Sequence, residues 1–276
     1  MRVGAWAAAL TVALTSARAI AVDPPSPSPA PGAVGDQRLV FSTNGSKLTG
    51  GFGAGGGSAT WVGNFGGGTA IGVGVDYQQI SNSHWTTGDF SASVAPGLQT
   101  HLYVEAHEGA GDLGDRAFHY SLLFGGVLEQ VNSLLSVQLE ERRIDIDTSH
   151  GNLPKVGLSL QITPQLLASV SYALSVGGNL GTHLGSARID YTWRTFSALA
   201  GIAGGPAAPA VVNLLPGGAV VVAPGPTLRE GFAGLGKPLG RTDWLLIGDY
   251  QNVGGTKRYS LSLTCTVHLH APTPSP

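Results

Sequence analysis

The chain has few charges, a single cysteine and no apolar run suited to a membrane-spanning helix, and each shortage excludes a class of protein. Charged residues make up 12% of its 276 residues, and the formal net charge is −2, whereas soluble domains contain about 25% charged residues. Nucleic acid is not expected among the partners, because phosphate binding needs a dense basic patch. The one cysteine, Cys265, excludes a disulfide framework within the chain.

The apolar runs predict export rather than a helical membrane anchor. The stretch 206–224 contains four prolines, and proline breaks helix interiors. The run from Gly4 to Leu14 is shorter than the ~20 residues that cross a bilayer. This run follows a basic start and precedes small residues at Ala19 and Ala21, which is the order found in signal peptides. Residues 1–21 are therefore predicted to be a cleaved signal peptide.

Composition also predicts the domain boundaries. Residues 22–45 are rich in Pro, Ser and Gly and are expected to form an extended linker. Residues 271–276 have a similar composition and are expected to form a disordered tail. The folded part is expected to span 46–270.

An apolar period of two dominates the folded part. In residues 166–176, Val170 and Tyr172 share an apolar face, whereas Ser169 and Ser171 share a polar one. Successive side chains of a strand point to opposite faces, so this pattern indicates a strand with one apolar and one small, polar face.

About fourteen such segments follow one another, joined alternately by tight turns and longer loops. This pattern predicts an all-β fold, an antiparallel up-and-down transmembrane β-barrel of about 14 strands (12–14). A secreted β-sandwich has the same period, but the Ser, Gly, Thr and Gln of the polar faces suit a barrel lumen better than bulk solvent. Closure also removes the exposed edges of so large a sheet.

Four segments carry a resemblance to a known family. They are VGLSLQITPQLLASVSYALSVGG (156–178), SARIDYTW (186–193), GLGKPLGRTDWLLIGDY (234–250) and RYSLSLTCTVHL (258–269). They resemble the YaiO-type outer-membrane barrels of Gram-negative bacteria. The resemblance implies a barrel without assigned chemistry in the cell outer membrane, with outer-membrane lipids, the barrel assembly machinery and polysaccharide-export components as partners. Such barrels end on an aromatic residue that assists assembly, whereas this chain has His268-Leu269-His270 before its tail.

Charged and polar residues on the inward phase of the strands are candidates to line the lumen. They are His101, Glu105, His119, Gln138, Glu140, Arg142, Lys155, Arg188 and Asp190, with Asp76, Asp89 and Arg194 on the same phase. The rings beside His119, those of Phe118 and Tyr120, are expected to face lipid. Buried charges of opposite sign are expected to pair, because an unpaired buried charge is costly. The resulting network either braces the barrel or forms a constriction that selects solutes by charge.

The sequence predicts a non-enzymatic channel or an accessory protein for surface polysaccharide export, with no cofactor and no metal site. A closed-lumen structural or surface-interaction barrel is one alternative, and an outer-membrane hydrolase is another. The hydrolase is disfavoured because His101 and Glu105 are separated by ~13 Å along one strand, too far for a hydrogen bond. His268 and His270 share a face but have no third metal ligand nearby in the sequence.

The first testable prediction concerns location. The mature protein is expected to start near Val22 and to sediment with outer membranes, because its apolar faces require lipid. Membrane fractionation with N-terminal sequencing of the purified protein checks both points. Recovery in the soluble periplasm after ultracentrifugation without detergent would contradict the barrel.

Overall fold

The computed structural model describes residues 36–49, 53–66, 68–80, 83–113, 116–146, 149–178, 180–206, 227–253 and 255–269. The expected signal peptide, most of the expected linker and the expected C-terminal tail lie outside the described residues. No helix in these ranges is long and apolar enough to cross a membrane.

The described chain is a succession of antiparallel strands. They are β1 Gln37–Leu48, β2 Gly53–Gly66, β3 Thr69–Ile80, β4 Ser83–Val94, β5 Thr100–Leu113, β6 Arg116–Gln130, β7 Leu135–Ile146, β8 Ser149–Asn152, β9 Lys155–Thr163, β10 Leu166–Leu174, β11 His183–Thr192, β12 Ser197–Pro206, β13 Thr227–Leu239, β14 Thr242–Val253 and β15 Thr256–His268.

These strands form a closed antiparallel barrel with a 14-stranded wall, as the sequence predicts. Consecutive strands pair along the wall, and β1 pairs with β15 to close it. The short β8 folds back on β7 as a hairpin, while β7 pairs with β9 to continue the wall.

Exposure alternates along the strands and separates an apolar outer face from a polar inner face. In β10, Val170 is 51% exposed, whereas Ser169 is 2% exposed. Many large apolar side chains are exposed on the outer phase of the other strands; they include Val73, Val75, Phe90, Leu102, Val104, Leu139, Val156, Leu158, Leu160, Ile189, Ile202, Leu235, Leu246, Leu261 and Leu263. The buried polar side chains, Ser, Thr, Gln and the charged residues, lie on the opposite phase and therefore line the lumen.

The first strand begins at Gln37, so the expected start of the barrel at 46 was wrong. Phe41 pairs with Cys265 on one side and with Ala59 on the other, so this part of the chain belongs to the wall. The sequence hides the strand because Val40 and Phe41 are adjacent and both apolar, although Val40 is buried on the inner face and Phe41 is exposed on the outer face. The alternation of apolar and polar residues is therefore not visible in this part of the sequence.

Between β10 and β11, the described residues 175–178 and 180–182 bring Leu180 to the inner side of the wall. The backbone of this connection is held by hydrogen bonds from Val176 N to Asn152 O (2.8 Å) and from Ser175 N to Thr182 O (2.8 Å). A side chain at Gly151, whose strand partner Ile144 lies on the inner face, would meet Leu180. Leu180 is itself buried. Leu180 therefore covers part of the inner side of the β7–β8 hairpin.

The alternation makes adjacent residues of β10 a test of the two faces. Lysine at Val170 is expected to cost about 2–4 kcal/mol of folding free energy in a bilayer, because it places a charge against hydrocarbon. Lysine at Ser171 is expected to cost less, since the side chain enters a polar lumen. Unfolding in urea with the protein in lipid vesicles measures both, and equal costs would contradict the assigned faces.

Candidate functional site

The inner face of β5–β9 carries a buried ionic network centred on Glu140. Its carboxylate accepts hydrogen bonds from Arg142 Nε and from the Tyr103 hydroxyl. Lys155 Nζ lies 3.7 Å from Glu140 Oε1, and Gln138 Nε2 donates to Glu140 Oε2 at 3.2 Å. One carboxylate thus serves two cations and two neutral donors, which is the arrangement that a buried charge requires.

A second cluster on β4–β6 continues this network. His107 Nδ1 lies 2.6 Å from Asp89 Oδ1, and His107 Nε2 lies 3.7 Å from Glu105 Oε2. The ring of His107, on β5, also contacts the ring of Phe124 on β6. The guanidinium of Arg142, on β7, lies 4.9 Å from the centre of the same Phe124 ring. The cluster of Asp89, Glu105 and His107 is therefore joined to the Glu140 network through the Phe124 ring, which Arg142 approaches as in a cation–π contact.

Among the described residues, two arginine–carboxylate pairs lie on the remaining wall. Arg188 Nε donates to Asp190 Oδ1 at 2.8 Å, within one strand. Arg258 Nη2 donates to Asp249 Oδ1 at 3.3 Å across β14 and β15, and Ser260 Oγ donates to the same oxygen at 2.5 Å.

The wall between these pairs is apolar. Leu199, Phe232, Leu245 and Ile247 on β12–β14 are buried and form one cluster on the inner face. Counted round the wall, β13 is the strand opposite β5. The lumen therefore carries the ionic network on one side and this apolar cluster on the opposite side.

The structure places most of the candidate residues on the inner face. Those whose side chains lie there are His101, Glu105, Gln138, Glu140, Arg142, Lys155, Arg188 and Asp190, together with Asp76 and Asp89. His101 is near one end of β5, away from the network around Glu140. Whether these side chains select solutes stays a prediction.

His119 departs from the expectation. It lies on the outer face with its side chain 65% exposed, and its Nε2 is 3.0 Å from Glu108 Oε1. The expected outward ring of Tyr120 is instead buried inside, where it shares a hydrogen bond with Thr87. The phase of β6 was misread because apolar residues occupy both of its faces, so the aromatic rings did not mark the lipid side. Arg194 also departs, since it is exposed in the turn between β11 and β12.

Sequence reasoning missed other members of the lumen wall. His107 is not among the predicted lumen residues, although it continues the phase of Tyr103 and Glu105 at a spacing of two. That spacing was the signal that would have found it. Arg258 and Asp249 gave no local signal, because they meet across two strands rather than along one.

The lumen offers no recognisable reaction centre or metal site among the described residues. No group of three or more His, Cys, Asp and Glu there is placed to hold a metal ion. His107 is oriented by Asp89, but its remaining contacts are a carboxylate and a phenyl ring rather than a hydroxyl nucleophile. The ion pairs and hydrogen bonds hold the charged side chains in place along the lumen wall.

The fold resembles solved channels at low sequence identity. The CymD monoaromatic hydrocarbon channel gives a TM-score of 0.58 at 9% identity, over 87% of this chain and 90% of that one. A FadL homologue of Pseudomonas aeruginosa gives 0.55 at 10%, over 92% and 97%. The toluene transporter TodX of Pseudomonas putida gives 0.53 at 8%, over 85% and 89%. No family model and no curated protein matches the chain. The likeness establishes an outer-membrane type of barrel fold.

Glu140 and its neighbour Glu141 test the ionic network. Glu140→Gln is expected to lower the free energy of unfolding by about 3 kcal/mol, because two buried cations lose the charge that they share. Glu141→Gln changes the net charge equally, but Glu141 lies exposed on the outer phase of β7, so its effect is expected to be small. Urea unfolding in lipid vesicles measures both. A similar loss in the two variants would show that the network does not brace the barrel.

Proposed function

We propose that the chain is a non-enzymatic outer-membrane channel for small solutes. The observation that carries this proposal is the contrast between the two faces of one closed wall, apolar outside and polar and charged inside. Only closed barrels and helices cross the hydrocarbon core, because every backbone polar group must be hydrogen-bonded there. The polar inner face does not contact lipid, so it is suited to a lumen. A barrel of this size falls between eight-stranded barrels, whose interior is filled, and porins with 16–18 strands, which leave an aqueous channel.

The low exposure of the inner side chains supports a narrow passage. The Glu140 network and the apolar cluster of β12–β14 are both buried on the inner face. Leu180, in the connection between β10 and β11, lies on the inner side of the wall and narrows the lumen further at that end. Such a lumen favours passage of small solutes over passage of a polymer, with the ion pairs fixing the shape of the wall.

An accessory role in surface polysaccharide export is the second candidate, and it rests on the resemblance to YaiO-type barrels. That role brings polysaccharide-export components as partners, whereas outer-membrane lipids and the barrel assembly machinery are proposed partners for either function. A structural barrel with a closed lumen is the third candidate. Ion conductance separates the first proposal from the third.

Purified protein in planar lipid bilayers is expected to show discrete conductance steps. Deletion of residues 178–181 is expected to enlarge the steps, because it removes Leu180 from the lumen. Val176→Ser is the matched control, since Val176 belongs to the same segment but its side chain is exposed. Absence of conductance from protein that shows heat-modifiable gel mobility, in both the full chain and the deletion, would favour the closed-lumen barrel.

A further inference from the structure

The cations and the carboxylates of the lumen differ in how far they are exposed. In one ion pair the Arg188 side chain is 5% exposed and that of Asp190 is 15% exposed. The pair of Arg258 and Asp249 gives the same two values, 5% and 15%. In both pairs the guanidinium lies against the wall, and the carboxylate is the group that the lumen can reach.

On the wall formed by β3–β5, the carboxylates are likewise more exposed than the basic side chain beside them. The sequence contains no Lys or Arg between Lys47 and Arg116. On these strands the side chains of Asp89 and Glu105 are 10% and 19% exposed, whereas His107 between them is 7% exposed. Asp89 Oδ2 is buried and has no hydrogen-bond donor, although Oδ1 is held by His107. This wall therefore contains a carboxylate oxygen, Asp89 Oδ2, that accepts no hydrogen bond from the described residues.

The Glu140 network does not make the accessible charge of the lumen positive. Its two cations are sealed, because the side chains of Arg142 and Lys155 are 5% and 2% exposed and Glu140 lies between them. Glu140 neutralises their charge in part at close range. Apart from His268, which is 18% exposed and lies 2.8 Å from the equally exposed Asp243, the accessible charge in the described lumen is thus carried by carboxylates.

We infer that the lumen selects small cationic solutes, including organic amines, over anions of the same size, with Glu105, Asp190 and Asp249 as the specificity-determining residues. This inference deepens the proposed channel function and rests on it. Carboxylate-lined constrictions favour cations, because the fixed charge raises the local concentration of counter-ions. One accessible carboxylate about 7 Å from a permeating ion in water changes its occupancy about threefold.

The permeability ratio measures the selectivity directly. Reversal potentials across a KCl gradient, and across gradients of ethylammonium chloride and potassium acetate, are expected to show that cations permeate better. Glu105→Gln, Asp190→Asn and Asp249→Asn are each expected to lower the cation-to-anion ratio about sevenfold, because the removed charge both raises the occupancy of the cation and lowers that of the anion. Glu108→Gln removes the same charge from the outer face of β5 and is expected to leave the ratio unchanged. A ratio at or below one in the parent protein, or an equal effect of the outer control, would overturn the inference.

A second measurement does not require conduction. After Cys265→Ser, a Ser262→Cys variant places a thiol on the inner face, and a Thr49→Cys variant places one on an exposed turn. A cationic methanethiosulfonate is expected to modify position 262 several-fold faster than an anionic one of equal size, relative to the same ratio at position 49. Failure of the conductance test alone would refute the proposed channel. Equal or reversed relative rates at position 262, or no reaction with either reagent there, would refute the inference.

Discussion

Closure of the backbone hydrogen-bond ladder is the constraint on which the rest of this structure depends. The pairing of β1 with β15 gives the first and last strands of the wall partners on both sides, as at Phe41 and Cys265. In hydrocarbon an open edge would leave a row of unsatisfied N–H and C=O groups, each costing several kcal/mol. Once the wall is closed, the part of each strand that faces hydrocarbon must be apolar, and charges at that depth must go to the inner face. Burial inside then requires those charges to pair.

The pairing uses the geometry of a single strand wherever two charges lie two residues apart. Glu140 with Arg142, and Arg188 with Asp190, are separated by one residue, so their side chains leave the same face about 7 Å apart. The long arginine side chain bends along the wall to reach the shorter carboxylate. This is the physical reason why arginine is the more buried member of the Arg188–Asp190 pair. The exposure asymmetry in the lumen thus follows from side-chain length as well as from charge.

The sequence was enough to predict the barrel, the strand number and most of the inner face, because alternation and the i, i+2 pairs are local signals. It was not enough for the start of β1, where Val40 and Phe41 conceal the alternation, or for His119, whose strand is apolar on both faces. Contacts between distant parts of the chain were also out of reach. Leu180 beside Gly151 depends on how a loop folds inward, and the bond of Arg258 to Asp249 depends on the register of two strands.

The abundance of glycine, 42 residues, has a structural reason in the same lumen. Three inward aromatic rings lie where a glycine of the neighbouring strand has no side chain: Tyr120 at Gly109, Tyr103 at Gly126 and Phe232 at Gly201. A Cβ at any of these glycines would meet the ring, so the ring would have to turn away from the wall and into the lumen. Glycine therefore lets large side chains lie flat and stay buried against the barrel. A wall that keeps its rings flat leaves the centre to the shorter polar side chains, and the charge in reach of a solute is then set by Asp and Glu.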